Sequence, residues 1–161
     1  MALVKIVSGG QTGVDRGALD AALRAEFPCG GWCPSDRAAE DSLIPAWYPL
    51  TPMARGGYRE RTRHNVLESD GTAILFYGVL GGGTLLTLNL CKREDKPHVV
   101  IDASKTSEPE AAAEIARFVE KHDIHVLNVA GPRASGWRQG HGYAAGTVGA
   151  VIARVQKRLV L

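Results

Sequence analysis

The sequence predicts an α/β fold, a doubly wound parallel sheet of about five strands with helices on both faces. Three observations carry this. The apolar runs at 3–7, 72–76, 99–101 and 124–129 lack the polar alternation of a half-exposed strand, so each is expected to be buried on both faces. Each is followed by a segment with apolar residues at helical spacing, and such crossovers within one sheet are right-handed. Glycine-rich turns follow three of the runs, at the strand ends where open parallel sheets take their ligands.

The first strand, 3–7, leads into the turn from Ser8 to Arg16 and then into a helix over 14–26, with Val14, Ala18, Leu19, Ala22 and Leu23 at helical spacing. A short apolar piece from Cys29 to Cys33 reads as the second strand, whose alternation would place both thiols on one face. Pro34 opens a long irregular segment, 35–57, and its Trp47, Tyr48, Leu50 and Met53 predict that it packs against the domain. Helices are expected at 58–68, 83–93 and 108–122, the last with Pro109 near its first turn. A final helix over about 143–159 carries Val148, Val151, Ile152 and Val155. At 161 residues and 45% hydrophobic content, the chain can bury one substantial core, so 1–161 is read as a single ligand-binding domain.

Several classes lose ground on composition. The net charge is +2 with basic residues spread along the chain, which gives no polycationic footprint for nucleic acid. No apolar run approaches the roughly 20 residues of a membrane span, and the first strand begins within three residues of the start, so a cytoplasmic location is expected. Three cysteines make no disulfide framework and fit a reducing compartment. The spacing of Cys29 and Cys33 is not that of a zinc or redox pair, and His122 and His125 lack a convergent partner, so no metal is expected. No nucleophile elbow occurs to suggest covalent catalysis.

The candidate site lies in the three turns. Gly9, Gly10 and Gly13, with Gln11 and Thr12, permit close backbone approach at a helix start, an anion cradle that is neither a phosphate-binding P-loop nor a full dinucleotide fingerprint. Asp15 reads either as an acceptor for ligand hydroxyls, with Arg16 supplying positive charge, or as a helix-start carboxylate paired with Arg16. Gly81, Gly82, Gly83 and Thr84 begin a second helix, where the Thr84 hydroxyl can donate to an anion or cap the helix. Gly131, Arg133 and Ser135 form the third turn. Arg61 and Asn65 share one helix face, and can either bind an anion or tie down the long segment. Within that segment Asp36, Arg37, Glu40 and Asp41 read as a lid over the pocket or as a solvated charged loop.

Taken together, Ser8-Gly-Gly-Gln-Thr-Gly-Val-Asp-Arg16, Gly31-Trp-Cys-Pro34, Arg37-Ala-Ala-Glu-Asp41, Ile44-Pro45, Tyr48-Pro-Leu50, Arg61-Thr62, Asn65-Val66, Ser69-Asp-Gly-Thr72, Gly82-Gly-Thr84 and Asn128-Val-Ala-Gly-Pro-Arg133 resemble the putative molybdenum carrier family over about 3–135. That family is Rossmann-like and related to the lysine-decarboxylase-like group of nucleotide-processing proteins. The resemblance implies a cytoplasmic homo-oligomer, dimer or tetramer, holding the molybdenum cofactor (a phosphorylated pterin) or a nucleotide-like molecule. It would set the phosphate on the 9–13 turn, with the other two turns on the remaining polar edge. The related hydrolases carry a glutamate shortly after their Gly-Thr turn, whereas Leu85, Leu86 and Thr87 follow here. A nucleotide or nucleoside-phosphate hydrolase using Asp15, Glu40 or Asp41 as base is the alternative, with a nucleotide-sensing module as a third reading.

Overall fold

The computed structural model describes residues 3–160. Its main sheet is built from β1 (Lys5–Val7), β2 (Cys29–Gly30), β7 (Gly71–Phe76), β8 (His98–Asp102) and β9 (Val126–Ala130), all parallel, in the order β2-β1-β9-β7-β8. The last strand of the chain therefore sits at the centre. If β9 were counted first, the order would read 3-2-1-4-5, that of the Rossmann sheet.

Helices cover both faces, as expected. On one side α1 (Val14–Arg24), α4 (Glu108–Lys121) and α5 (Gly140–Val160) bury Ala18, Ala22, Ile115, Val148 and Ile152 against Ile6, Leu75 and Leu127 of the strands. Small residues set the spacing there. Gly17 of α1 lies against the His141 carbonyl and Ala144 of α5, where a larger side chain would hold the helices apart. On the opposite side α2 (Tyr58–Glu68) packs on α3 (Gly82–Arg93) through Val66, Leu90 and Cys91. No helix among the described residues is long and apolar enough to cross a membrane.

The second strand differs from expectation. Gly31, at φ 128 and with the Ser8 backbone where a side chain would stand, turns the chain out of the main sheet after β2. The next residues, β3 (Trp32–Cys33), pair instead with β6 (Thr51–Pro52). Cys33 joins Leu19, Ile44, Tyr48 and Leu50 in a small cluster, and Cys29 packs against it from the main sheet. The last helix begins at Gly140, ahead of the expected start, because Trp137 and Gln139 accept its first backbone N–H groups and outweigh the low helix propensity of Gly140 and Gly142.

The long segment is structured. It contains a hairpin of β4 (Ala38–Ala39) and β5 (Ser42–Leu43), and it buries Ile44, Tyr48, Leu50 and Met53. Trp47 does not pack as expected. It is 70% exposed, with its ring tilted against Tyr48, because Tyr48 takes the inward position and gives its hydroxyl to Asp20. Arg37 closes the segment on itself, donating to the carbonyls of Ile44, Pro45, Tyr48 and Leu50. The guanidinium thus supplements the segment's two short ladders in satisfying its backbone.

Arg37→Ala is expected to lower unfolding free energy by about 2 kcal/mol in urea titration, within the range for hydrogen bonds to a charged group. Its first proteolytic cuts should fall within 36–56. An unchanged midpoint and cleavage pattern would show that the segment holds without the guanidinium.

Candidate functional site

The three glycine turns leave β1, β9 and β7, which are neighbours in the sheet, so they converge at its carboxyl edge. Ser8 fastens the first turn to β9 by donating its hydroxyl to the Val129 carbonyl at 2.6 Å. Between the turns and α2 is a hollow of about 270 Å³. Of the residues singled out in the sequence, Gly9, Gln11, Asp15, Arg61, Asn65, Gly81, Gly82, Gly83, Thr84, Gly131 and Arg133 face it. Gly10, Thr12, Gly13, Arg16 and Ser135 do not line it; they build its walls. Tyr58, Val79 and Asn128 also face it, and sequence reasoning missed them. Tyr58 could have been found from its place on the Arg61 face of α2, and Asn128 as a polar residue inside an otherwise apolar strand.

Arg61 is the central side chain. It is 6% exposed, its guanidinium stacks 4.5 Å from the centre of the Tyr58 ring, and it lies across Gly9 so closely that a side chain there would overlap it. Its carboxylate partner is Asp15, at a long 3.5 Å, and its Nε has no hydrogen-bond partner. The guanidinium lines the hollow with one long ion pair as its only charge partner among the described residues, which leaves positive charge for an arriving anion. Asp15 is buried beneath and accepts the Gln11 N–H at 3.2 Å. Burial pushes its carboxyl pKa up, against the opposing pull of Arg61 and of the Gln11 N–H.

The two helix starts differ. Around the first turn of α1 four donors are already used: the N–H of Val14 by the Pro132 carbonyl, of Arg16 by the Gln11 carbonyl, of Thr12 by the Gln11 side chain and of Gln11 by Asp15. The start of α3 has Gly81 as its cap residue, no side-chain cap and no acidic residue in its first turn, and it faces the hollow. The first N–H groups of that helix have no intrahelical acceptor, and the positive end of its dipole lies there.

The remaining side chains hold the walls. Arg16 neither pairs with Asp15 nor reaches the hollow: its Nε donates to the Gly10 carbonyl at 3.0 Å and its terminal nitrogens grip Asp41. Glu40 accepts from the Thr12 hydroxyl and from the Ser135 hydroxyl and N–H, clasping the β4–β5 hairpin to the first and third turns. These donors, Ser135 first, hold its carboxyl below the usual carboxylate range. Gly13 sits at φ 83 with the Pro132 carbonyl and the Ala134 N–H against it, which fixes the first turn to the third. Asn65 exchanges both amide bonds with the Trp32 backbone, at 2.8 and 3.0 Å, tying α2 to β3. Among the described residues there is no group of three or more His, Cys, Asp or Glu placed to hold a metal.

Residues 6–152 match the circularly permutated YpsA SLOG family. The chain belongs to that family. Its permuted strand order is visible in the central position of β9. The crystal structure named "Putative molybdenum carrier protein" from Syntrophus aciditrophicus SB superposes with a TM-score of 0.91 at 41% sequence identity, covering 94% of this chain and 96% of that one. No curated protein matches the chain.

Within this permuted SLOG site, Asp15 gives a pH test. A carboxyl raised above 3.8 on folding contributes stability that is fully present at acid pH and lost as pH rises through its folded value. Over the same rise it becomes the anion facing Arg61. Sulfate, whose charge is constant over this range, should therefore bind more weakly as pH increases. Calorimetry on Asp15→Asn is expected to show tighter sulfate binding with that pH dependence removed; a native-like profile in the variant would take Asp15 out of the site's electrostatics.

Proposed function

We propose that this protein binds a phosphorylated pterin of the molybdenum-cofactor type and carries it as cargo. The observation that carries this reading is the buried Arg61, with its unpartnered Nε, beside the uncapped start of α3. A phosphate set between them would meet backbone N–H groups, a positive helix end and a guanidinium fork. The name of the Syntrophus aciditrophicus protein supports the choice of cargo. The donors facing the hollow are amides, hydroxyls and guanidinium groups, with no cysteine or histidine among them. Such a set suits oxyanions and a pterin's polar edge, and leaves the metal to its own ligands. Three free thiols fit residence in the cytoplasm.

A second reading, nucleotide binding with or without hydrolysis, is favoured by one feature. Asp15 lines a hollow at the edge of a sheet whose rotated order is that of nucleotide-binding folds, and a carboxylate is a group that accepts ribose hydroxyls. Thr87 occupies the turn of α3 where a catalytic carboxylate would stand, and gives its hydroxyl to the Gly83 carbonyl.

The test is a thermal-shift panel of phosphorylated pterin, molybdate and AMP on the native protein and on Gly81→Glu. Position 81 has extended backbone and open space around it, so the new carboxylate enters the hollow without disturbing the fold. Gly10 is the poorer probe, because a side chain there would strike Leu50 and Ile44. At a hundredfold excess over Kd, binding is expected to stabilise the native protein by about 2.7 kcal/mol and to leave Gly81→Glu unshifted. A shift with AMP alone, or AMP turnover, would replace the carrier reading with the second one.

A further inference from the structure

A separate hollow, of about 860 Å³, opens at the starts of α4 and α5 and shares no lining residue with the one at the glycine turns. Its volume lies within the roughly 300–1,000 Å³ of small-molecule sites. Tyr77 follows β7, Ala103 follows β8, Glu108 opens α4, and Trp137 and Tyr143 flank the start of α5. Three aromatic rings make one wall: the centroid of Trp137 is 6.0 Å from that of Tyr77 and 5.4 Å from that of Tyr143. The wall is held in place. The Tyr143 hydroxyl donates to the Thr106 carbonyl at 2.8 Å, and Trp137 is buried with its backbone N–H on the Arg133 carbonyl, while Tyr77 stays exposed. Glu108 lies against α5 where Gly146 leaves room for its carboxylate, since a side chain at 146 would take that place.

The charge around the wall is negative. Asp102, Glu108, Glu110 and Glu114 take part in none of the ion pairs among the described residues. All four reach Tyr143: burial first, then these carboxylates, push its phenol up to about 12. Against them stand Arg138, which is exposed to solvent at the rim, and His141, whose Nε2 is taken by Asp20 at 2.7 Å. Aromatic faces backed by carboxylates attract cations, and a methylated ammonium has no N–H groups to strip of water on entering. We propose that this hollow binds a small methylated ammonium ion of the choline kind, its methyl groups on Tyr77 and Trp137 and its charge facing Glu108. The site is independent of the anion site at the glycine turns, so either can fail alone.

Calorimetry with choline, against the neutral alcohol in which carbon replaces the choline nitrogen, tests it. Choline is expected to bind saturably and about tenfold more tightly than the alcohol, whose shape is the same. Tyr77→Leu and Glu108→Gln, both at exposed positions, should each weaken choline about tenfold and leave the melting midpoint near that of the native protein. Equal affinity for the alcohol would make the hollow an apolar cleft, and choline binding that both variants leave intact would lie elsewhere. Either result, or no choline binding, overturns the proposal. Phosphatidylcholine vesicles form the second arm, and binding to them without binding of free choline overturns a small free ligand. Should a variant misfold, the margin between the two ligands on the native protein decides.

Discussion

The buried guanidinium of Arg61 is the constraint around which this end of the molecule is arranged. A cation removed from water requires compensation, and it comes from two incomplete sources: the face of Tyr58 at 4.5 Å and the Asp15 carboxylate at 3.5 Å. Position 9 must lack a side chain for Arg61 to lie where it does. Position 83 must lack one too, because the Tyr58 hydroxyl occupies that space. Two long side chains from α2 thus set the residue identity at two of the three turns, and glycines that read as ligand cradles serve first as room for Arg61 and Tyr58.

The sheet supplies what α2 cannot. Chain order places β1 first and β9 last, yet they are neighbours, and Ser8 joins them by its hydroxyl at 2.6 Å. With β7 on the other flank of β9, three successive strands end in glycine turns at one edge. A strand order without permutation would keep the same neighbours in space and move only the chain ends. The site is therefore a property of the sheet's spatial order, and permutation leaves it intact.

Strands β7, β8 and β9 and helices α2, α3 and α4 were legible in the sequence because apolar runs and helical spacing are local signals. The convergence of the three turns was legible for the same reason, since each follows a recognisable strand. Other features depended on residues far apart in the chain. Arg16 pairs with Asp41, 25 residues on, and Arg61 with Asp15, 46 residues back, so no helical spacing could show that the Asp15–Arg16 pair, one of the two readings of Asp15, gives way to two longer-range ones. The break after β2 depended on the Ser8 backbone lying against Gly31. Trp47 and Tyr48 are adjacent and both aromatic, and only the distant Asp20 decides which of them turns inward.

The two helix starts show why a glycine turn is an incomplete predictor of anion binding. Both α1 and α3 begin after glycine, and both present the positive end of a dipole, which contributes roughly 0.3–1 kcal/mol to a nearby anion. Asp15 lies in the first turn of α1, and two unit charges about 4 Å apart at an effective dielectric of 20 interact by about 4 kcal/mol. While Asp15 is ionised, its repulsion exceeds the attraction of the α1 dipole several-fold. The first turn of α3 has no such opponent, and Arg61 stands across the hollow from it. Side-chain charge therefore decides between two similar backbones.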